Sequence, residues 1–327
     1  MKRVNSTLVI CSFIFSSVFA THTNAFSGDF KKWKITIPDS QYDFYGSGST
    51  TSAAELLPSA CHSSGQDLTS SSVIVGSNGL TFFEVKNNRA HFRADMGGGV
   101  TTTNTNYIRS ELRELFNVDY SSDNPCSTSS SNTSWFINDS ATNTSTHTLS
   151  SILQVEEHPN PTVIDQLPKV VVGQVHGWEI KQALIKLQWE GDNKPVRAII
   201  NQDFFRDNIS CSSDLADKTG CDKWSFSIDL GTYPTGHEWR YDIVVDDSAL
   251  YVMTRSVDGS NKVEHTLKWG QNYTDRNGNT IKLSKDWAGH DIAYYFKAGI
   301  YPQFKPVSKY TGEVFDVSFS QINLFHR

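Results

Sequence analysis

Three short stretches gather residue types that can grip a carboxylate and move a proton beside it. YIRSELREL runs from Tyr107 to Leu115, VVVGQVHGW from Val170 to Trp178, and YFKAGIY from Tyr295 to Tyr301. Read as strands, each sends alternate side chains to opposite faces. The first stretch then sets Tyr107, Arg109, Glu111, Arg113 and Leu115 on one face, with a carboxylate between two guanidiniums. The second sets Val172, Gln174, His176 and Trp178 against Val171, Gly173 and Val175. The third sets Tyr295, Lys297, Gly299 and Tyr301 against a core-like face of Phe296, Ala298 and Ile300. Gly299 leaves a gap between Lys297 and Tyr301 that a sugar ring could enter.

Each stretch alone has an ordinary explanation. A surface salt-bridge ladder contributes little, a lone histidine beside a core is commonly structural, and a buried tyrosine usually packs its ring and bonds its hydroxyl. Together they supply Arg, Arg, Gln, His, Lys and Tyr, with one carboxylate already flanked by arginines. A typical glycosidase needs two carboxylates across the scissile bond, and no E-x-D-x-E pattern is present. A serine hydrolase of the G-x-S-x-G type lacks its elbow, and no CxxC or His/Cys spacing suits zinc. The inventory fits proton abstraction α to a uronate carboxylate, with loss of the 4-O-linked sugar. Arginine donors hold the carboxylate, and neutralising its charge brings an enolate-like transition state within reach. A histidine, ionising near 6.5, and a neutral phenol can take and give the two protons.

These side chains need a sheet to hold them. Strand-like segments recur at Trp33–Ile37, Leu80–Val85, Ala90–Ala94, Tyr107–Leu115, Thr148–Val155, Val170–His176, Ala183–Trp189, Val196–Asn201, Trp224–Leu230, Arg240–Asp246, Leu250–Arg255, Ala293–Tyr301 and Val314–Phe325. They are short, rich in β-branched and aromatic residues, and punctuated by Gly, Asn, Asp and Ser. Ala53–Ala60 reads as a short helix, and the Ser/Thr/Asn-rich run from Ser121 to Ser151 as a long surface loop. Many short strands without βαβ alternation predict a sandwich or barrel.

The chain opens with Lys2 and Arg3 and an apolar run from Leu8 to Ala20, which reads as an export signal with cleavage after Ala20 or Ala25. Residues 26–327 are then one domain, secreted or periplasmic. Export makes the cysteines readable: Cys61, Cys126, Cys211 and Cys221 are an even set in an oxidising compartment. Of the three connectivities, nearness pairs Cys211 with Cys221 and leaves Cys61 for Cys126. The chain carries 29 Lys and Arg against 35 Asp and Glu, a net charge of −6. That balance does not suit nucleic acid or an anionic membrane. A polyanionic substrate requires positive charge gathered locally in a groove.

RSELR (109–113), QVH (174–176) and YFKAGIY (295–301) resemble, in order, the three signature motifs of the polysaccharide lyase family 7 alginate lyases. FKKWKITIP, Phe30 to Pro38, is similar to the family's first strand. Departures are Pro302, where the family often has Asn before the Gln matching Gln303, and the Ser-rich insertion after the first motif. The resemblance implies an all-β jelly-roll sandwich of two curved antiparallel sheets with a concave substrate cleft. It implies endolytic β-elimination on alginate by a monomer, without a cofactor or catalytic metal. Carried onto this sequence, Arg109 and Gln174 hold the uronate carboxylate, and His176 and Tyr301 handle the protons. Arg113, Lys297 and Gln303 contact substrate, and Glu111 orients the arginines. Valine in the second motif, here Val175, goes with poly-mannuronate preference. The competing readings are a guluronate-preferring lyase, a lyase for another polyuronate such as glucuronan, and a non-catalytic carbohydrate-binding jelly roll.

Overall fold

The computed structural model describes residues 26–59, 65–102, 105–116, 133–138, 140, 142–180, 182–204, 225–289 and 291–327. Among them, twenty strands follow in chain order: β1 (Ser27–Gly28), β2 (Trp33–Ser40), β3 (Ala53–Leu56), β4 (Val73–Val75), β5 (Thr81–Lys86), β6 (Arg89–Asp95), β7 (Ser110–Glu114), β8 (Trp135–Phe136), β9 (Thr146–Glu157), β10 (Val170–Gly177), β11 (Ala183–Trp189), β12 (Pro195–Asn201), β13 (Ser225–Thr232), β14 (Trp239–Asp246), β15 (Ala249–Ser256), β16 (Val263–Lys268), β17 (Asn272–Thr274), β18 (Thr280–Lys282), β19 (Ala293–Pro302) and β20 (Val314–His326). One sheet runs β13-β12-β11-β10-β19-β7-β2-β3, with β8 paired to β19. The other runs β16-β15-β14-β9-β20-β6-β5-β4, with β1 parallel to β20. β17 and β18 form a separate hairpin. Strands distant in the chain are therefore neighbours in space, and the three motif strands β7, β19 and β10 lie side by side. This is a jelly-roll sandwich.

Each of the thirteen segments expected as strands contains a strand, but Tyr107–Leu115 is one only over Ser110–Glu114, and Trp224 lies outside the described residues. Ala53–Ala60 is not a helix: Ala53–Leu56 is the edge strand β3, paired with β2. Ala54 and Leu56 bury themselves while Glu55 turns to the opposite face. That period of two overrides the helix propensity of an Ala-Ala-Glu-Leu run. The expected surface loop is interrupted by strand β8, whose Trp135 is buried, and ends early, because β9 begins at Thr146. The expected leader and the four cysteines expected to pair, Cys61, Cys126, Cys211 and Cys221, lie outside the described residues. Among the described residues, no helix is long and apolar enough to cross a membrane.

The core fills the space between the sheets. Phe83, Phe92 and Phe319 make edge-to-face contacts on one sheet, a geometry favoured by the ring quadrupole. Ile108, Leu112, Phe296, Ala298 and Ile300 bury the inner face of the motif strands. One tie crosses the sandwich where β10 bends: the Tyr241 hydroxyl donates to Val172 O at 3.1 Å. Gly173 makes room for it, since a Cβ there would lie 2.5 Å from that hydroxyl.

Behind the motif strands sits a buried carboxylate, Glu114, with no solvent exposure. It accepts from Trp135 Nε1 at 2.9 Å and from the Phe296 backbone N–H at 2.8 Å. His326 Nε2 lies 2.8 Å from its other oxygen, outside hydrogen-bond direction. His326 Nδ1 in turn meets His147 Nδ1 at 2.7 Å, and His147 stacks on Trp135 at 4.1 Å. This cluster ties β20 to the reverse side of the strand carrying YFKAGIY.

Candidate active site

The outer face of the β10 sheet carries a cleft of about 820 Å³. Its walls include Arg109 and Arg113 from the β7 segment, Gln174 and His176 from β10, and Tyr295, Lys297 and Tyr301 from β19. Cross-strand register explains the gathering. Lys297 pairs with Gln174 on one side and Arg113 on the other, Tyr295 pairs with His176, and Gly299 pairs with Glu111. Alternation alone misplaces one position. β10 carries a bulge between Val171 and Gly173, so Val172 joins Val170 and Val175 in the core instead of sharing the face of Gln174.

Glu111 is the hub, 2% exposed. It accepts from Arg109 Nη1 at 2.9 Å and from Lys297 Nζ at 2.5 Å on one oxygen, and from Gln174 Nε2 on the other. Burial pushes its carboxyl upward, but Lys297, Arg109 and the hydrogen bonds outweigh this and hold it below its ordinary value. The expected carboxylate between two arginines is thus a carboxylate between an arginine and a lysine. Arg113 instead lies over the ring of Tyr295 at 4.1 Å and near Trp178 at 5.5 Å. Its Nε, like that of Arg109, is buried without a hydrogen-bond partner among the described residues. Both arginines also line the cleft, where a guanidinium suits a bound anion.

Burial lowers Lys297 to about 8, aided by Arg109 and opposed by Glu111. Burial also lowers His176 to about 3, with Lys297, Arg109 and Arg113 adding to the effect. The imidazole is therefore neutral at pH 7. His176 Nδ1 lies 2.9 Å from Gly177 O. A carbonyl only accepts, so Nδ1 carries the hydrogen and Nε2 keeps its lone pair free to accept. Tyr301 is held from two sides: Arg109 lies 4.0 Å over its ring, and its hydroxyl meets Thr105 Oγ1 at 2.7 Å.

Gly299 has a different reason from the expected sugar-sized gap. Its φ is +125°, and a Cβ there would lie 2.6 Å from Ser110 O and 3.1 Å from the core ring of Phe92. Glycine is needed by the backbone and its neighbouring strand.

The family model for alginate lyase matches residues 28–326. The chain belongs to the alginate lyase family. Solved structures share the fold. An alginate lyase from Klebsiella pneumoniae aligns at 18% identity with a TM-score of 0.62, covering 92% of this chain and 97% of that one. A lyase from Pseudomonas aeruginosa aligns at 19% and 0.54, covering 92% and 100%. An exolytic family 7 enzyme from Zobellia galactanivorans aligns at 16% and 0.56, covering 91% and 95%. None of the curated proteins compared matches the chain.

In this family member, seven of the eight expected catalytic and binding residues converge: Arg109, Glu111, Arg113, Gln174, His176, Lys297 and Tyr301. Gln303 stays apart from the cleft walls, its amide folded back onto the carbonyls of Tyr301 and Pro302 at 3.0 and 3.3 Å. Sequence reasoning missed Lys34, Thr36 and Glu55 at the β2–β3 end and Lys186 at the other. Lys34 Nζ pairs with Glu55 at 2.6 Å, with Thr36 donating to the same carboxylate. The cations Lys34, Arg109, Arg113, Lys186 and Lys297 gather here in a chain of net negative charge. No group of metal-ligating side chains occurs among the described residues.

Proposed function

We propose that the chain is an exported, monomeric, endolytic alginate lyase that prefers poly-mannuronate and leaves 4,5-unsaturated uronate ends. The observation that carries the reading is the Glu111 hub, which aims Arg109, Lys297 and Gln174 beside a neutral His176 and a held Tyr301. A uronate carboxylate seated on Arg109, Gln174 and Lys297 loses much of its charge, which acidifies the C5 hydrogen. As the C5–H bond breaks, its electron pair forms the C4=C5 double bond and the C4–O4 bond leaves with a proton from Tyr301. On mannuronate, the C5 hydrogen and O4 lie on one side, and Tyr301 serves both: it enters as the phenolate, takes the C5 proton and passes it to O4. On guluronate they lie on opposite sides, and His176 Nε2 takes the C5 proton.

The preference for mannuronate rests on Val175 in the second motif, and a neighbour of like fold was solved with dimannuronate. Other neighbours were solved with oligomers written GGG and GGMG, so the two blocks must be compared directly. Export rests on the basic start and apolar run of residues 2–20. Internal cleavage rests on a cleft walled by strands from β3 to β13. Ultraviolet absorbance during incubation with separate poly-mannuronate and poly-guluronate tests the reaction, because only elimination makes the absorbing conjugated acid. Tyr301→Phe is expected to abolish the rise on both blocks while alginate binding survives. His176→Asn is expected to lose guluronate cleavage before mannuronate cleavage. Turnover retained in Tyr301→Phe removes Tyr301 from the chemistry.

A further inference from the structure

Thr105 was not marked by any motif, yet its side chain is the hydrogen-bond partner of the Tyr301 hydroxyl, at 2.7 Å. It is held in place by its own surroundings. Its backbone N–H donates to Thr102 O at 3.2 Å, and its Oγ1 accepts from the Tyr107 backbone N–H at 3.2 Å. Tyr107 also packs its ring 6.1 Å from that of Tyr301. The segment leading into the arginine strand therefore positions the hydroxyl of the tyrosine strand.

A threonine hydroxyl has one hydrogen and two lone pairs. The Tyr107 N–H uses one lone pair, leaving one lone pair and the hydrogen for Tyr301. Thr105 can thus accept from the neutral phenol and, by rotating its O–H, donate to the phenolate. Few groups match both states, and a residue that gives up a proton and regains it in each cycle passes through both.

We propose that Thr105 is a positioning residue for Tyr301: it aims the phenol at O4 and donates to the phenolate left when that proton departs. The inference rests on the assignment of Tyr301 to proton transfer. The bookkeeping of the step is closed. The C5 proton goes to His176 on guluronate or to the Tyr301 phenolate on mannuronate, its electron pair forms the C4=C5 bond, the C4–O4 pair goes to O4 with a proton from Tyr301, and Thr105 exchanges no proton. Its contribution follows the charge on the phenol oxygen during turnover, so it acts on kcat rather than on substrate affinity.

The test compares wild type, Thr105→Val, Thr105→Ser and Tyr301→Phe in the absorbance assay on both blocks, with thermal unfolding of each. Valine keeps the shape and removes the hydroxyl; serine keeps the hydroxyl. The expected result is a kcat lower by about ten- to a hundredfold in Thr105→Val, matching loss of a hydrogen bond to a charged group. KM and the unfolding midpoint stay unchanged, and Thr105→Ser restores most of the rate. Wild-type kcat in Thr105→Val beside an inactive Tyr301→Phe overturns the inference and leaves the assignment of Tyr301 standing. A raised KM with unchanged kcat also overturns it, making Thr105 a substrate contact. An absorbance rise in Tyr301→Phe equal to wild type overturns both.

Discussion

Replacing Lys297 by arginine should move the alkaline limit of turnover. Lys297 has its ammonium lowered to about 8 by burial and by Arg109, and it sits 2.5 Å from Glu111 in the group proposed to grip the uronate carboxylate. In the free protein about a tenth of the molecules keep this charge at pH 9 and about a hundredth at pH 10. Because kcat/KM reports the free enzyme, it should fall about tenfold per pH unit above about 8. A uronate carboxylate seated beside Lys297 favours the ammonium, so the limb in kcat should lie at higher pH or vanish. A guanidinium stays charged throughout this range. Lys297→Arg therefore loses the limb near 8 even where its greater bulk lowers the absolute rate. The assay is initial absorbance rate against substrate concentration at pH 6 to 10, at constant ionic strength. A wild-type kcat/KM that is level to pH 10 refutes the reasoning, as does a limb near 8 that persists in Lys297→Arg.

Two further changes probe the scaffold. Gly299→Ala forces a side chain into φ +125° and against Ser110 O; it should cost at least about 1–3 kcal/mol in urea unfolding and distort the face bearing Lys297 and Tyr301, and an unchanged midpoint would contradict the strand-crowding account. His147 is buried and lowered to about 4 by burial and by His326, so between about 4 and 6.5 the unfolded chain binds more protons than the folded one. Its contribution is then fully present above about 6.5 and is lost as pH falls toward 4, by about 3 kcal/mol. His147→Phe, which keeps a ring beside Trp135, should flatten that slope in denaturant titrations, and a slope equal to wild type would reassign it.

The motif strands were legible because their polar side chains recur at period two beside an apolar face, and a sheet preserves that pattern. The pairing of β7, β19 and β10 was not legible, since nothing local in 109–113 specifies a partner at 295–301. Local patterns also failed where backbone geometry intervened. The bulge between Val171 and Gly173 moved Val172 into the core, and Gly173 was the available signal. The Ala-Ala-Glu-Leu run favoured helix until edge pairing with β2 decided otherwise. Arg113 left Glu111 for Tyr295 because Lys297, from a distant segment, took its place. Thr105, Lys34, Glu55 and the Glu114 cluster all depend on partners far away in the chain, so their roles were visible only once the sheets were assembled.

The cleft is longer across the strands than along them. From Glu55 on β3 to Ser225 on β13 it crosses eight strands, roughly 34 Å at strand spacing, whereas Tyr295 to Tyr301 covers roughly 20 Å along one strand. A polymer laid along the longer axis changes strand at nearly every sugar, so the sheet works as a ruler with one mark per strand. The marks follow the spatial order β13-β12-β11-β10-β19-β7-β2-β3, which is shuffled relative to the coding order. A substitution series meant to lengthen or shorten the oligosaccharides released would therefore have to walk through the sheet, jumping back and forth along the gene. Adjacent codons would mostly alter the same ring of the substrate or none.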